Sequence, residues 1–255
     1  MKLYFRKYGN GKPLIILHGL FGSGINWNSV GKILARDYTV YIPDQRNHGK
    51  SPHSHDCSYE HLTQDLFAFY SDNGIDNAVL LGHSMGGKVA LKFAFEYPQM
   101  VEKLIVVDIG IKEYPVKDER LIGAMVNLEL GKYTSRKEIE IELGKDIKEE
   151  SMRLFIMQNL LRTQDHGFSW KMNLDVLSQN TDQVSEAINV SGILNARTLF
   201  ISGGQSDYLL QEDRNNLQKN FASIQFDVIE NAGHWVHVDE PELFNNSIAE
   251  FLEIL

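Results

Sequence analysis

The chain has 255 residues, of which 43% are hydrophobic, so it can bury a sizeable core within one large α/β domain. Its 25 Lys and Arg residues are outnumbered by 34 Asp and Glu residues, which gives a formal net charge of −9 at pH 7. Such a surface repels nucleic-acid phosphates and no run of Lys or Arg forms a basic patch, so we exclude a nucleic-acid partner.

Short apolar runs rich in β-branched residues recur along the chain and predict strands buried on both faces of a parallel sheet. In chain order, these five runs are Leu14–Gly19, Tyr38–Asp44, Asn77–Ser84, Glu102–Gly110 and Ala196–Gly203. Leu3–Gly9 precedes them as a candidate antiparallel strand. Ile224–Gly233 follows them as a more alternating strand, expected nearer an edge of the sheet.

Helical patterns fall between these runs, at Asn26–Asp37, Tyr59–Gly74, Ser84–Pro98 and Glu240–Leu255. Strands that alternate with helices in this way predict an open, mostly parallel, doubly wound α/β sheet.

Residues 111–189 interrupt the alternation, because they contain charged helical stretches and almost no strand pattern. We interpret them as a helical cap inserted into a core domain formed by residues 1–110 and 190–255. Within the cap, the apolar residues of LFIMQNLL (Leu154–Leu161) either pack between cap and core or line an apolar pocket.

The segment Gly82-His83-Ser84-Met85-Gly86 matches the G-x-S-x-G pattern, and it lies where a predicted strand meets a predicted helix. An abrupt turn from strand to helix forces the residue at the bend into strained backbone angles. Its neighbours two positions away must then be small to avoid collisions. Ser84 is therefore predicted to be a nucleophile whose hydroxyl is held clear of the backbone.

A nucleophilic serine needs a histidine base and a carboxylate that orients the histidine, and both are expected after later strands. His234 follows the last predicted strand and is our candidate for the base, whereas His237 is expected to be structural. Asp207, in the loop after the fifth apolar run, is our candidate for the acid. Asp108, at the end of the fourth run, is the alternative.

An oxyanion hole requires two backbone N–H groups aimed at one point. The N–H of Met85, directly after the nucleophile, and that of Leu20, after the first apolar run, are the predicted donors; Phe21 is the next choice after Leu20. His18 is expected to order this loop through hydrogen bonds. We expect three further side chains to bind the substrate: Phe21, His83 and Trp235.

Together, the G-x-S-x-G turn, the His-Gly oxyanion loop, Asp207 and His234 resemble the α/β-hydrolase superfamily over essentially the whole chain except the cap. Many members carry D-x-R-G-x-G-x-S where this chain has PDQRNHGKS (Pro43–Ser51). The Asn-His-Gly variant resembles the small YbfF-type bacterial esterases. In that resemblance Asp44 and Arg46 hold a turn, and the Asn-His-Gly segment is not itself catalytic.

The resemblance implies an α/β-hydrolase fold with an inserted helical cap. It also implies hydrolysis of short- to medium-chain acyl esters, or of thioesters such as acyl-CoA, by a Ser-His-Asp acyl-enzyme mechanism. The expected partner is therefore a small-molecule acyl ester or thioester, and the oligomeric state is left open. The serine at the nucleophile position argues against dehalogenase and epoxide hydrolase chemistry, which uses an aspartate there.

Two other functions compete with this one. The same catalytic residues cleave or eliminate at carbon–carbon bonds of acidic substrates when the pocket holds cationic side chains, for which the candidates are Lys88, Arg120, Arg153 and Arg162. A ligand receptor that retains the pocket with little or no turnover is the second competitor.

No cofactor or metal is expected. The H-x-H-D run from His53 to Asp56 lacks the spacing of a metallo-hydrolase site and is interpreted as a polar loop. G-x-G-x-x-G and P-loop patterns do not occur in the sequence.

Cys57 is the only cysteine, which excludes an internal disulfide and therefore a secreted disulfide scaffold. The first residues carry charges without a preceding apolar core and do not resemble a signal peptide. No segment approaches the roughly 18 consecutive apolar residues that span a bilayer. We therefore expect a cytoplasmic protein without a membrane span.

Overall fold

The computed structural model describes residues 1–114 and 119–254 of the chain. Within these residues the strands, in chain order, are β1 (Phe5–Tyr8), β2 (Lys12–Leu17), β3 (Tyr38–Pro43), β4 (Ala78–His83), β5 (Val101–Val107), β6 (Leu160–Arg162), β7 (Phe168–Trp170), β8 (Arg197–Gly203) and β9 (Ile224–Ile229). The α-helices are α1 (Asn28–Leu34), α2 (Tyr59–Asp72), α3 (Met85–Glu96), α4 (Glu119–Val126), α5 (Arg136–Asp146), α6 (Glu150–Met157), α7 (Leu174–Gln179), α8 (Thr181–Ser185), α9 (Gln211–Leu217), α10 (Val236–Asp239) and α11 (Pro241–Leu252). Short 3-10 helices lie at Gly24–Trp27, Pro98–Met100, Leu130–Lys132 and Gln218–Asn220.

Seven strands form one sheet in the order β1-β3-β2-β4-β5-β8-β9. Strand β1 runs antiparallel to β3, and the other neighbouring pairs are parallel. The five apolar runs correspond to β2, β3, β4, β5 and β8, while β9 lies at the far edge. The predicted mostly parallel α/β sheet is therefore confirmed.

Different helices cover the two faces of the sheet. Helices α2 and α3 pack on one face with Leu80 of β4, and α1 and α11 pack on the other with Val79 and Leu81. Successive side chains of a strand point to opposite faces, so a strand covered on both sides needs an uninterrupted apolar run. All six residues of β4 are buried, which explains the continuous pattern in the sequence.

The segment between β5 and β8 has an apolar cluster of its own, in which Met125, Ile139 and Ile156 are completely buried. Besides helices α4 to α8 it contains the antiparallel hairpin of β6 and β7, which the sequence pattern did not predict. Three-residue strands are too short to establish an alternating pattern. Of the segment LFIMQNLL, residues 154–157 belong to α6, and Leu160 and Leu161 belong to β6.

The carboxyl ends of parallel strands share one edge of a sheet, and in open α/β sheets ligands bind at that edge. The loops that follow β2, β4, β5, β8 and β9 therefore converge at the edge where the predicted site residues lie. None of the helices formed by residues 1–114 and 119–254 is long and apolar enough to cross a membrane.

Candidate active site

Ser84 occupies the bend between β4 and α3 with φ 51° and ψ −121°, a backbone conformation that residues with a side chain rarely adopt. A Cβ atom on Gly82 would lie 2.2 Å from the carbonyl oxygen of Gly86, and one on Gly86 would lie 2.5 Å from that of Leu17. Both glycines are therefore required by close backbone approach, as the steric argument from the sequence predicted.

Ser84 and His234 line one cavity of about 210 Å³. The loops after β2, β4 and β9 form one part of its wall. The segment between β5 and β8, called the cap below, lines the opposite side with mostly apolar side chains: Leu121, Ile122, Met152 and Phe155. The three predicted substrate-binding residues, Phe21, His83 and Trp235, also line the cavity. The structure thus brings the proposed nucleophile, base and binding side chains to one place.

The carboxylate that pairs with His234 is Asp108 and not Asp207, the first candidate from the sequence. Nδ1 of His234 lies 2.7 Å from Oδ2 of Asp108, and Asp108 is completely buried. The same carboxylate accepts hydrogen bonds from the N–H of Gly203 and the hydroxyl of Ser206. Asp207, the candidate from the sequence, is exposed. Asp108, the alternative, is thus the carboxylate that orients His234.

Strand register explains why Asp108 occupies this position. His83 of β4 pairs with Val107 of β5, so the residues that follow them, Ser84 and Asp108, leave neighbouring strands side by side. Asp108 also has a positive φ of 48°, which turns the chain sharply at the end of the strand. Strained backbone at such positions concentrates at functional sites. The sequence shows Asp108 near the end of an apolar run, whereas the position of that strand beside β4 is known from the sheet order.

The hydrogen bond to Asp108 fixes the tautomer of the His234 imidazole. Nδ1 must carry the hydrogen that it donates to the carboxylate, which leaves Nε2 of the neutral imidazole as a proton acceptor. The ring stacks on Tyr208 with centroids 4.1 Å apart, and Nε2 of His83 donates to the His234 carbonyl oxygen at 2.9 Å. His83 thus supports the loop of His234 in addition to lining the cavity.

Both residues predicted to supply oxyanion donors line the cavity that contains Ser84. Met85 is the first residue of α3, where a backbone N–H has no partner within the helix. On the opposite side, a Cβ on Gly19 would lie 3.2 Å from the Cβ of Ser84, so the loop after β2 passes directly over the serine. The N–H of Phe21 donates to Nε2 of His48 at 3.1 Å. Leu20 rather than Phe21 is therefore the candidate donor of this loop.

His18 has the ordering role expected from the sequence. Its Nδ1 donates to the carbonyl oxygen of Gly19 at 2.8 Å, and its Nε2 accepts from the N–H of Gln45 at 2.9 Å. Burial lowers the pKa of His18 to about 4, so the ring is neutral at pH 7 and can both donate and accept.

The turn that follows β3 is held by Asp44 and Arg46, as the resemblance implied. Asp44 accepts from the N–H groups of Gly24 and Lys50 at 2.7 and 2.9 Å, and Arg46 pairs with buried Asp65 at 2.7 Å. Through the bond from Gly24, this turn is joined to the chain that directly follows the oxyanion loop.

Of the four cationic candidates, Lys88 lines the cavity; Arg120, Arg153 and Arg162 do not belong to its described lining. The Lys88 ammonium donates to the carbonyl oxygens of Ser185 at 2.9 Å and of Glu186 at 2.5 Å. Burial lowers its pKa to about 8. This lysine joins the end of the cap to the elbow helix α3, a role that the sequence did not reveal.

Comparison with known proteins agrees with this architecture. The family model of the alpha/beta hydrolase fold matches residues 12–241. The chain is 37% identical over 251 residues to the sn-1-specific diacylglycerol lipase ABHD11 of Mus musculus, covering 94% of this chain and 80% of that protein. It is 30% identical over 246 residues to Esterase YbfF of Escherichia coli K12, covering 95% and 94%. A solved structure described as a marine microorganism esterase superposes with a TM-score of 0.95 at 37% identity, covering 98% of this chain and 99% of that one.

Proposed function

The chain belongs to the α/β-hydrolase family, and on this premise we propose that it is a serine carboxylesterase acting on short- to medium-chain acyl esters. One observation carries the proposal. His234 is held by buried Asp108 at 2.7 Å and faces the same cavity as Ser84, whose positive φ places it on the bend of a strand–helix elbow.

In the proposed mechanism, Nε2 of His234 removes the hydroxyl proton of Ser84 as the oxygen attacks the ester carbonyl. The N–H groups of Leu20 and Met85 stabilise the negative charge that develops on the carbonyl oxygen. The imidazolium, stabilised by Asp108, then protonates the leaving alcohol. A water molecule activated by the same histidine releases the acid and restores Ser84.

The shape of the cavity supports a small acyl group. Its volume of about 210 Å³ lies below the roughly 300–1,000 Å³ of pockets that enclose drug-sized ligands. Its cap side is mostly apolar, which favours an alkyl chain over a charged group. Of the similar proteins, one is named as a lipase and two are named as esterases, which supports ester substrates. Acyl thioesters, including acyl-CoA, pass through the same acyl-enzyme and are the second substrate class to test.

An acidic substrate cleaved at a carbon–carbon bond is less well supported. It would need a cation aimed at the substrate, whereas two carbonyl oxygens already engage Lys88. A receptor without turnover would not need Asp108 buried behind His234, since orienting the base serves proton transfer.

The test compares the wild type with Ser84→Ala on p-nitrophenyl esters and acyl-CoA thioesters of increasing chain length. We expect multiple turnovers with the wild type and a loss of about 10⁶-fold in kcat with Ser84→Ala. A fluorophosphonate probe should label the wild type and not the variant. Ser71→Ala, at an exposed position of α2, is the control and should retain both properties. Labelling of Ser84→Ala, or no turnover by the wild type, would contradict the proposal.

A further inference from the structure

The N–H of Leu20 can serve as an oxyanion donor only if the loop from Gly19 to Gly22 holds one conformation. This loop is a tight turn in which the N–H of Gly22 donates to the carbonyl oxygen of Gly19 at 3.0 Å. Phe21 lies inside it with φ 58°, a left-handed conformation that a phenylalanine does not adopt without support. The groups that hold Phe21 therefore determine where the Leu20 N–H points.

The first of these groups is His48, from the Asn-His-Gly segment that the proposed chemistry does not otherwise use. Its Nε2 accepts from the N–H of Phe21 at 3.1 Å, and its Nδ1 donates to the carbonyl oxygen of Arg46 at 2.8 Å. The ring is 1% exposed, and burial lowers its pKa to about 3, so it stays neutral and keeps both bonds. The peptide group that joins Leu20 to Phe21 is thus fixed from the core.

The second group is Asn159, which follows α6 in the cap. Its Nδ2 donates to the carbonyl oxygen of Phe21 at 2.7 Å, and its side chain is almost completely buried. The backbone carbonyl oxygen of Asn159 accepts from the N–H of Lys171 at 2.8 Å, which joins Asn159 to the end of the β6–β7 hairpin. The ring of Phe21 packs into the cap's apolar cluster. The peptide group on the other side of Phe21 is thus fixed from the cap.

The consequence for Leu20 follows from peptide geometry. The C=O and N–H of a trans peptide group point in opposite directions. The carbonyl of Gly19 points toward His18, which donates to it at 2.8 Å, so the N–H of Leu20 points the other way. Hydrogen bonds hold both peptide groups of Phe21, and they therefore restrain rotation of the peptide group between Gly19 and Leu20.

We infer that His48 and Asn159 are positioning residues that set the oxyanion hole, each acting through one peptide group of Phe21. The inference rests on the proposed esterase function and adds to it that the cap takes part in forming the hole. Neither side chain lines the cavity, so neither touches the substrate in this arrangement.

The variants His48→Leu and Asn159→Leu test the inference, because leucine has a similar size and makes no hydrogen bond. We expect kcat to fall about 100-fold in each while KM changes little, since a displaced donor is lost mainly to the transition state. The inhibition constant of a trifluoromethyl ketone, whose adduct with Ser84 carries an oxyanion, should rise by the same factor as kcat/KM falls. The kcat of the double variant should be only slightly below that of the more impaired single variant, because both side chains hold the same residue.

The control is Gln158→Leu, next to Asn159 in the chain. Gln158 is exposed and accepts from Asn26 across the cap–core boundary at 2.9 Å without touching Phe21. It should keep kcat and the inhibition constant. Asn159→Gln, which retains an N–H donor, should recover part of the lost kcat. The inference is overturned if the leucine variants fold and keep kcat, whether KM is unchanged or rises.

A wild-type experiment covers the case in which the leucine variants do not fold. In an NMR spectrum of backbone amides, binding of the trifluoromethyl ketone should move the proton resonance of Leu20 downfield and leave that of Phe21 in place. A downfield shift of Phe21 instead overturns the inference. Failure of the wild type to form the adduct counts against the proposed esterase function, so the two failures are distinguishable.

Discussion

The carboxylate of Asp108 has a specific task at the scale of a single residue. It accepts three hydrogen bonds while completely buried, and only the bond from His234 bears on proton transfer. The other two, from Gly203 and Ser206, occupy two further acceptor sites of the carboxylate, and such partners offset the cost of burying a polar group.

Asp108→Asn keeps the shape of the side chain but can place an amide N–H₂ against Nδ1 of His234. The imidazole then favours the tautomer with its hydrogen on Nε2, which cannot accept the proton of Ser84. We expect kcat on a p-nitrophenyl ester to fall about 10⁴-fold with little change in KM. Asp207→Asn, at the exposed candidate, is the matched control and should keep kcat near the wild-type value. Equal losses in the two variants would contradict the assignment of Asp108.

At the scale of elements, the junction of β4 and α3 depends on how closely its backbone approaches β2. A Cβ on Gly86 would lie 2.5 Å from the carbonyl oxygen of Leu17 and 2.6 Å from that of His18. Both oxygens belong to backbone that leads into the oxyanion loop, so neither can move aside without disturbing that loop.

Gly86→Ala should therefore lower the free energy of unfolding by about 1–3 kcal/mol through overpacking, and reduce kcat as the loop shifts. Gly123→Ala is the matched control, because Gly123 lies within α4 and a Cβ there meets no atom within 4 Å. That change should raise the free energy of unfolding by about 0.5–1 kcal/mol, since alanine favours helix. Urea unfolding measures both. Equal stability of the two variants would contradict the steric argument.

The predicted elements agree with the structure where burial produces a long pattern and differ where it does not. The fourth apolar run was expected to continue to Gly110, whereas β5 ends at Val107. Ile109 is buried and apolar, so hydrophobicity alone continues past the point where Asp108 turns the backbone. Asp207 was preferred as the acid because it follows a later strand in a glycine-rich loop, and both aspartates stand near the end of an apolar run, so the sequence pattern did not separate them.

Site residues could be predicted from the sequence where local geometry determines them. Ser84 and its glycines depend on collisions within a few residues and on the strand β2 beside them. By contrast, His234 meets Asp108 across 126 positions, and Asn159 meets Phe21 across 138. Such contacts depend on strand register and on how the cap packs against the core, and neither leaves a pattern in a single sequence.

At the scale of the whole molecule, four buried histidines make folding sensitive to acid. His18, His48, His83 and His237 are each at most 6% exposed, and burial lowers the pKa of each below the ordinary value of 6.5. The pKa reaches about 4 for His18 and about 3 for His48 and His237. The folded chain therefore keeps these rings neutral at a pH where the unfolded chain protonates them.

Because the unfolded state binds more protons between these values, the stabilising contribution is complete above about pH 6.5 and is lost as the pH falls toward 4. Each histidine should remove about 1.4 kcal/mol of unfolding free energy per pH unit within that window. Urea unfolding between pH 7 and pH 5 measures the slope.

His237→Phe should reduce the slope by the contribution of one histidine, because it removes one buried imidazole. Phenylalanine is a suitable replacement, since it preserves the stacking on Trp27, where ring centroids lie 4.1 Å apart, and neither nitrogen of His237 bonds any described residue. Ser71→Ala, which removes no titratable group from an exposed position of α2, should leave the slope unchanged. A slope that is flat in the wild type, or equal in the wild type and His237→Phe, would contradict the neutral burial of these rings.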